Sequence, residues 1–324
     1  GYNTIIPQAP LNEVKPVRLS NTLLLQRRIK EFMVLNGRLS EIMTYPLVGK
    51  DLLEKSYWPQ DNAELKLANA WSAEFDRMRP SLIPSLLQAA ALNQKNFDRF
   101  GFFELGRAYL PDTVDFSREK TQLGCVLFDR EASRFIDLLE LMERLLAYLR
   151  LPGWKIGEGG GDNKVLPHFW KGVHPTQYQE ISINSSPCGA VTCVGPAILR
   201  EFKMRGALSL ALLDLSSFEQ LEIVDQRVFT PISRFPITTF DCTVWVPPKV
   251  PAGHLIDVLE RAGWEEFLGA KISAIFQTPD GRRAVSLRSR LGSPHGTLSA
   301  ARIKELEEGI LSTLKNAGYP LKEA

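Results

Sequence analysis

The residues best suited to chemistry lie near the C-terminal end of this 324-residue chain. Alternation along Thr238–Val246 sets Phe240, Cys242, Val244 and Val246 on one face, and Asp241, Thr243 and Trp245 on the other. In the segment Arg283–Leu291, Val285, Leu287 and Leu291 share a face, while Arg282, Ser286, Arg288 and Arg290 share the opposite one. With the aliphatic faces packed under helices, an open sheet face would display Trp245 beside Arg282, Arg288 and Arg290. An aromatic ring for stacking and guanidinium groups for phosphates are what single-stranded RNA binding uses. The glycine-and-aromatic RNP1 pattern is missing, so an ordinary charged solvent face is the competing reading.

Other chemistry finds weaker material. Gly157-Glu158-Gly159-Gly160-Gly161 has neither the Lys-Ser/Thr end of a P-loop nor a following helix, and reads as a surface loop. Cys188 and Cys193 form one loose pair whose nearest histidines, His168 and His174, lie upstream in a prolyl loop, which is a poor zinc set. Cys193, in an apolar strand, reads as a small core residue. Four scattered histidines give no nucleophile a local base. The expectation is therefore no cofactor and no metal in this chain.

Composition sets the frame for these residues. Hydrophobic residues make up 44% and charged residues 23%, and 39 basic against 37 acidic side chains leave a formal +2, which excludes disorder and gives no global attraction to nucleic acid. The apolar run Leu208–Leu213 is far shorter than the roughly 20 residues of a membrane helix, so no membrane span is expected. Four irregularly spaced cysteines without a signal peptide indicate a reduced, cytoplasmic chain. The opening Gly1-Tyr2-Asn3 lacks Met and suggests a piece of something longer.

The elements that must position the candidates follow from periodicity. Residues 1–20 read as a prolyl leading segment. A helix is predicted over Asn21–Leu35, strands over Glu41–Val48 and Leu65–Trp71, and a helix over Leu82–Asn93. Strands follow over Phe100–Tyr109 and Gln122–Asp129, joined by a polar loop with Pro111 and Asp112. The clearest helix is Ser133–Arg150, with Ser133 as its cap and Pro152-Gly153 as its stop. Strands near Tyr178–Ile183, Ala190–Val194 and Ala207–Leu215 complete an α+β domain over 21–228 with a mainly antiparallel sheet.

Ser233-Arg234-Phe235 between Pro231 and Pro236 marks a boundary, and 229–324 reads as a second domain. Its strand Thr238–Val246 precedes a helix over Ala252–Ala262. Ala270–Gln277 turns at Asp280-Gly281 into Arg283–Leu291, and helix Ser299–Asn316 leads to a short strand near Tyr319–Leu321. The order βαββαβ is the ferredoxin-like split βαβ.

Ordered motifs then give a resemblance. Gly1-Tyr2-Asn3-Thr4-Ile5-Ile6-Pro7, Leu39-Ser40-Glu41-Ile42-Met43-Thr44-Tyr45, Met78-Arg79-Pro80-Ser81-Leu82 and Phe103-Glu104-Leu105-Gly106-Arg107-Ala108-Tyr109 resemble the C-terminal half of the bacterial phenylalanyl-tRNA synthetase beta chain. The likeness continues through His174-Pro175, Ser233-Arg234-Phe235-Pro236 and Gly296-Thr297-Leu298-Ser299. It implies a class II synthetase-like domain without activity, followed by a ferredoxin-fold anticodon-binding domain. It also implies a catalytic alpha subunit as partner in an (αβ)2 assembly, with ATP and magnesium belonging to the holoenzyme and tRNA as the shared substrate.

Residues support the missing activity. Adenylate formation in class II enzymes needs an arginine on the ATP alpha phosphate and a later glycine-rich motif ending in Glu-Arg. Here the strand reads Phe103-Glu104-Leu105-Gly106-Arg107, and Ala207–Leu215 is apolar. Glu104 and Arg107 read as a structural pair on a sheet rim, and Arg79 as an anchor at a subunit interface or helix start. The family's Arg-Arg-Asp after Phe-Pro is replaced by Ile237-Thr238-Thr239-Phe240-Asp241, its Gly-Arg after His-Pro by Thr176-Gln177, and Ser293-Pro294-His295 also departs. The resemblance thus implies a non-catalytic scaffold that contacts tRNA, and the alternation of the last sheet makes Trp245, Arg282, Arg288 and Arg290 the candidate contact residues. A stand-alone RNA-binding protein and an autonomous ligase or transferase are the competing classes.

Overall fold

The computed structural model describes the chain except residues 10–14, 17, 60–64, 113–116, 160–162, 220–233, 249, 279–281 and 323–324. It divides into two compact units, Gly1–Arg227 and Val228–Ala324. The expected boundary at 228 and the Asp280-Gly281 turn lie outside the described residues, as does part of the 157–161 glycine run.

In the larger unit, α1 (Asn21–Leu35) buries Leu25, Ile29, Phe32 and Met33 at helical spacing, and Ser20 Oγ accepts from the Leu23 amide to cap it. Short β1 (Ser40–Glu41) and β2 (Leu47–Val48) precede α2 (Lys50–Lys55) and β3 (Arg77–Met78). The single strand expected over Glu41–Val48 is thus two separate pieces. That expected over Leu65–Trp71 reduces to a bridge between Lys66 and Arg77, because the exposed 66–71 stretch has no core to face.

Helix α3 (Ile83–Asn93) starts with Pro84 in its first turn, where a missing amide costs nothing. The long β4 (Arg99–Pro111) and β5 (Ser117–Asp129) pair antiparallel along their whole length. After them, α4 (Phe135–Leu149) buries Phe135, Leu138, Leu141, Met142, Leu145, Leu146 and Leu149 at helical spacing. Its N-cap is Arg134 rather than Ser133, whose Oγ takes the Phe135 amide at 3.3 Å from one position further out. Arg150 ends it in the left-handed region, at φ 54°.

The remaining elements of this unit are β6 (Trp154–Gly157), β7 (Val173–Ile183), β8 (Ser186–Val194), α5 (Pro196–Glu201), β9 (Ala207–Asp214) and α6 (Ser216–Glu219). The sheet runs β1-β4-β5-β9-β8-β7-β6, parallel only at β1-β4 and antiparallel elsewhere.

Both faces of this sheet are buried. One face, with Phe103, Leu123, Cys125, Ala211 and Leu213, packs under α1 and α4. The other, with Phe102, Val126, Phe128, Leu210 and Leu212, packs under α2, α3, α5 and the Val165–Trp170 stretch. Strand β9 therefore reads as a continuous apolar run, as a strand covered on both sides must.

The smaller unit contains β10 (Thr238–Val246), α7 (Gly253–Arg261), β11 (Phe267–Gln277), β12 (Arg283–Leu291) and α8 (Ala300–Asn316). Its antiparallel sheet is ordered β10-β12-β11, and Leu321 bridges to Val244 on the outer edge of β10. Val244, Val246, Val285, Leu287 and Leu291 face Leu255 and Leu259 of α7 and Leu306, Ile310 and Leu314 of α8. Ser299 Oγ accepts from the Arg302 amide at 3.2 Å and caps α8. Among the described residues of this unit, no helix packs on the opposite face of the sheet.

Candidate nucleic-acid interface

The alternation of β10 and β12 delivers the expected residues to the uncovered face of the small sheet. Trp245 stands opposite Ala284, Thr243 opposite Ser286, Asp241 opposite Arg288 and Thr239 opposite Arg290. Trp245 is half-buried there, and Arg282 packs against its ring. Its guanidinium lies 4.7 Å from the Trp245 ring centroid, within the range of a cation–π contact.

Two residues that the sequence reading passed over complete this cluster. The Lys322 ammonium sits 5.5 Å from the Trp245 ring and 5.7 Å from the Phe276 ring, which is 51% exposed. Lys322 arrives there because the last described residues pair with the β10 edge. The Trp245 amide donates to the Pro320 carbonyl at 2.9 Å, and the Lys322 amide to the Thr243 carbonyl at 2.8 Å.

Phe276 arrives through a register shift between Ile272 and Ala274. Before it, Lys271 opposes Arg288 on the open face; after it, Ala274 opposes Ser286 and Phe276 opposes Ala284. A bulge changes which parity faces outward, so simple alternation along β11 misassigns Phe276.

Arg288 is held differently. Its Nε and Nη2 donate to the two Asp241 carboxylate oxygens at 2.8 and 2.6 Å. That hydrogen-bonded pairing holds the Asp241 carboxyl below its usual range and raises Arg288. The Arg288 charge is thus already answered by its neighbour across the strand pair. Arg290 is exposed one pair further along. The face therefore has an aromatic end, built from Trp245, Phe276, Arg282 and Lys322, and a charged end, built from Asp241, Lys271, Arg288 and Arg290. Thr243 and Ser286, whose hydroxyls are 2.7 Å apart, lie between them. Such a surface can stack planar rings at one end and pair phosphates along its length.

The expected pairing of Glu104 with Arg107 does not form. Their positions in β4 differ by an odd number of residues, so their side chains leave opposite faces of the strand. Arg107 reaches outward to Glu119 at 2.9 Å, while Glu104 is buried and takes Arg79 at 2.9 Å. Arg79 also donates to the Thr44 hydroxyl at 2.6 Å and the Arg107 carbonyl at 2.8 Å, and Glu104 accepts from the Thr44 hydroxyl and amide. With its side chain only 4% exposed, Arg79 is held inside this unit by these contacts.

The cysteines behave as core residues. Cys188 is buried and its thiol is pushed up to about 12 by burial, and Cys193 is also raised by burial. The His-Pro segment is a local turn, in which His174 Nδ1 accepts from the Thr176 and Gln177 amides at 3.2 Å.

Comparison with known proteins places these observations. Residues 5–215 match the family described as the phenylalanyl tRNA synthetase beta chain CLM domain. Over 97% of its length the chain is 25% identical to a phenylalanine–tRNA ligase beta subunit from Shewanella oneidensis, and over 99% it is 25% identical to that from Leptospira borgpetersenii. It spans 40% of the length of each of these relatives. Among solved structures, the pyrrolysyl-tRNA synthetase of Desulfitobacterium hafniense aligns at a TM-score of 0.47 and 15% identity, over 61% of this chain and 68% of that one. By the match over most of its larger unit, the chain belongs to the phenylalanyl-tRNA synthetase beta chain family.

Proposed function

We propose that this chain is a non-catalytic scaffold and tRNA-contacting part of a phenylalanine–tRNA ligase, working beside a catalytic alpha subunit that binds ATP and magnesium. The observation that carries the scaffold assignment is the covering of both faces of the seven-stranded sheet. In the strand where an ATP-gripping arginine would be needed, Glu104 is occupied by Arg79 instead. A sheet packed on both sides and a carboxylate spent on a buried pair suit load-bearing more than turnover.

The small unit is, in this reading, a ferredoxin-like anticodon-binding domain. Its strand order, with Leu321 on the outer edge of β10, supports that assignment. Its open face would contact tRNA through Trp245, Arg282, Arg288 and Arg290, with Phe276 and Lys322 added by the geometry. The setting is cytoplasmic translation; no described helix is long and apolar enough to cross a membrane.

The test is the mass in solution of this chain, alone and mixed with the catalytic alpha subunit from the same source. A defined heteromeric complex is the expected result. Two independent species at micromolar concentration overturn the scaffold reading, and tRNA affinity without that partner would then favour a protein that binds RNA on its own.

A further inference from the structure

A groove of about 790 Å³ lies between α2 and α3 in the larger unit. Its described wall comes from segments 44–55, 73–75, 85–95 and 202–205 and from Arg130, none of which adjoins an undescribed stretch of chain. We propose that this groove docks an acidic amphipathic helix of a partner protein. This goes beyond the scaffold reading and does not depend on it.

Shape selects a helix. Along α3 and just past its end, Ser85, Gln88, Ala91, Leu92 and Lys95 face the groove at helical spacing, a stripe about 15 Å long that matches about three turns of a second helix. Small Ser85 and Ala91 let another backbone come close. Tyr45, Phe75 and Leu92 stand 62%, 42% and 57% exposed at the groove, the two rings fixed edge to face with centroids 5.4 Å apart. Exposed apolar side chains rimmed by polar ones suit the apolar face of a protein helix, whereas a phosphate backbone would leave them uncovered.

Charge selects the sign of that helix. Gln94, 9% exposed, gathers cations at the end of α3: its Nε2 donates to the Lys203 carbonyl at 3.1 Å, its Oε1 accepts from the Arg205 amide at 2.9 Å, and its carbonyl accepts from Arg130 Nη2 at 3.0 Å. Arg130 is answered by Asp98 at 2.6 Å, but the side chains of Lys95, Lys203 and Arg205 have no partner among the described residues. Asp51 and Glu74 belong to a different part of the wall, where the start of α2 meets the 73–75 turn against Gly49. Glutamates on a docked helix would answer the three cations at the α3 end.

Two further features mark the groove as built. Lys203 is held at φ 53°, a left-handed conformation that glycine adopts at less cost, and the Gln94 hydrogen bond to its carbonyl keeps it there. Ser85 is 5% exposed, and its Oγ has no partner among the described residues and is not among the fully enclosed unsatisfied atoms, so it opens into the groove. It gives a docked segment one hydrogen-bonding group in an otherwise apolar floor.

The experiment is fluorescence polarisation of the full chain with a labelled helical peptide of about 12 residues, leucines along one face and glutamates along the other, and with its lysine-for-glutamate counterpart. Saturable binding of the acidic peptide, and binding of the basic one weaker by about tenfold or more, is expected. K95Q/R205Q, on exposed side chains, should weaken the acidic peptide about tenfold and flatten its salt dependence, and Leu92→Ser should weaken it while leaving the salt dependence unchanged. Lys203→Gly removes a charge and relieves the left-handed φ, so affinity should fall while the unfolding midpoint holds or rises. Failure of the acidic peptide to saturate at millimolar concentration, equal binding of the basic peptide, or unchanged affinity in K95Q/R205Q or in Leu92→Ser overturns the proposal. A chain that is dimeric alone and monomeric as Leu92→Ser also overturns it, by giving the groove to a second copy, as does single-stranded RNA that displaces the peptide and binds Leu92→Ser undiminished.

Discussion

Arg79 Nη1 donates to Glu104 Oε1 at 2.9 Å inside the larger unit, with only 4% and 2% of the two side chains exposed. A charge pair this dry is stable only while both members are present, because either one alone would be a buried, uncompensated ion. Glu104→Ala should destabilise the unit by about 3–5 kcal/mol, read as a lower urea midpoint. In a double-mutant cycle with Arg79→Met, the second change should cost far less than it does alone; additive losses would show that the two side chains do not act as a pair.

Gly106 is the close neighbour that this pair requires. A methyl placed there would lie 2.5 Å from Arg79 Nη2 and 2.9 Å from Glu104 Oε1. Both groups are held by further hydrogen bonds and have little freedom to retreat. Gly106→Ala is expected to cost about 1–3 kcal/mol as an overpacking change, measured by thermal or urea unfolding.

On the open face of the small unit, the contacts rank the residues for RNA binding. Trp245→Ala should weaken single-stranded RNA binding by about 1–3 kcal/mol, the usual value of a stacked base. Arg290→Gln should lower the slope of log affinity against log salt by about one. Asp241→Asn should strengthen binding, because it releases the Arg288 guanidinium from its bidentate partner. Fluorescence titrations at several salt concentrations read all three, and a weaker Asp241→Asn complex would remove Arg288 from the interface.

The same pair sets a pH dependence. Arg288 holds the Asp241 carboxyl below its ordinary value, so the pairing contributes above that ordinary value of about 3.9 and is lost as pH falls through the lowered one. A carboxyl-carbon NMR titration should place Asp241 below an unpaired aspartate, and Arg288→Gln should return it toward the ordinary value. Asp76 should behave likewise beside Arg77, whose side-chain hydrogen bonds lower it.

Periodicity made much of this molecule legible. The helices α4 and α8 and the alternation of β10 and β12 are local patterns, and a local pattern needs only its own element to be read. That is why Trp245, Arg288 and Arg290 could be set on one sheet face in advance. The family motifs, being short and ordered, were legible for the same reason.

What the tertiary structure alone decided involves partners distant along the chain. Glu104 could have turned to Arg107 nearby, yet strand geometry sends them to opposite faces and brings Arg79 in from a different segment. The exposed place of Phe276 depends on a bulge in β11, and that of Lys322 on the pairing of the chain end with β10, neither of which alternation encodes. The covering of both faces of the large sheet was likewise settled only by packing, since an apolar strand records that it is buried but not which helices bury it.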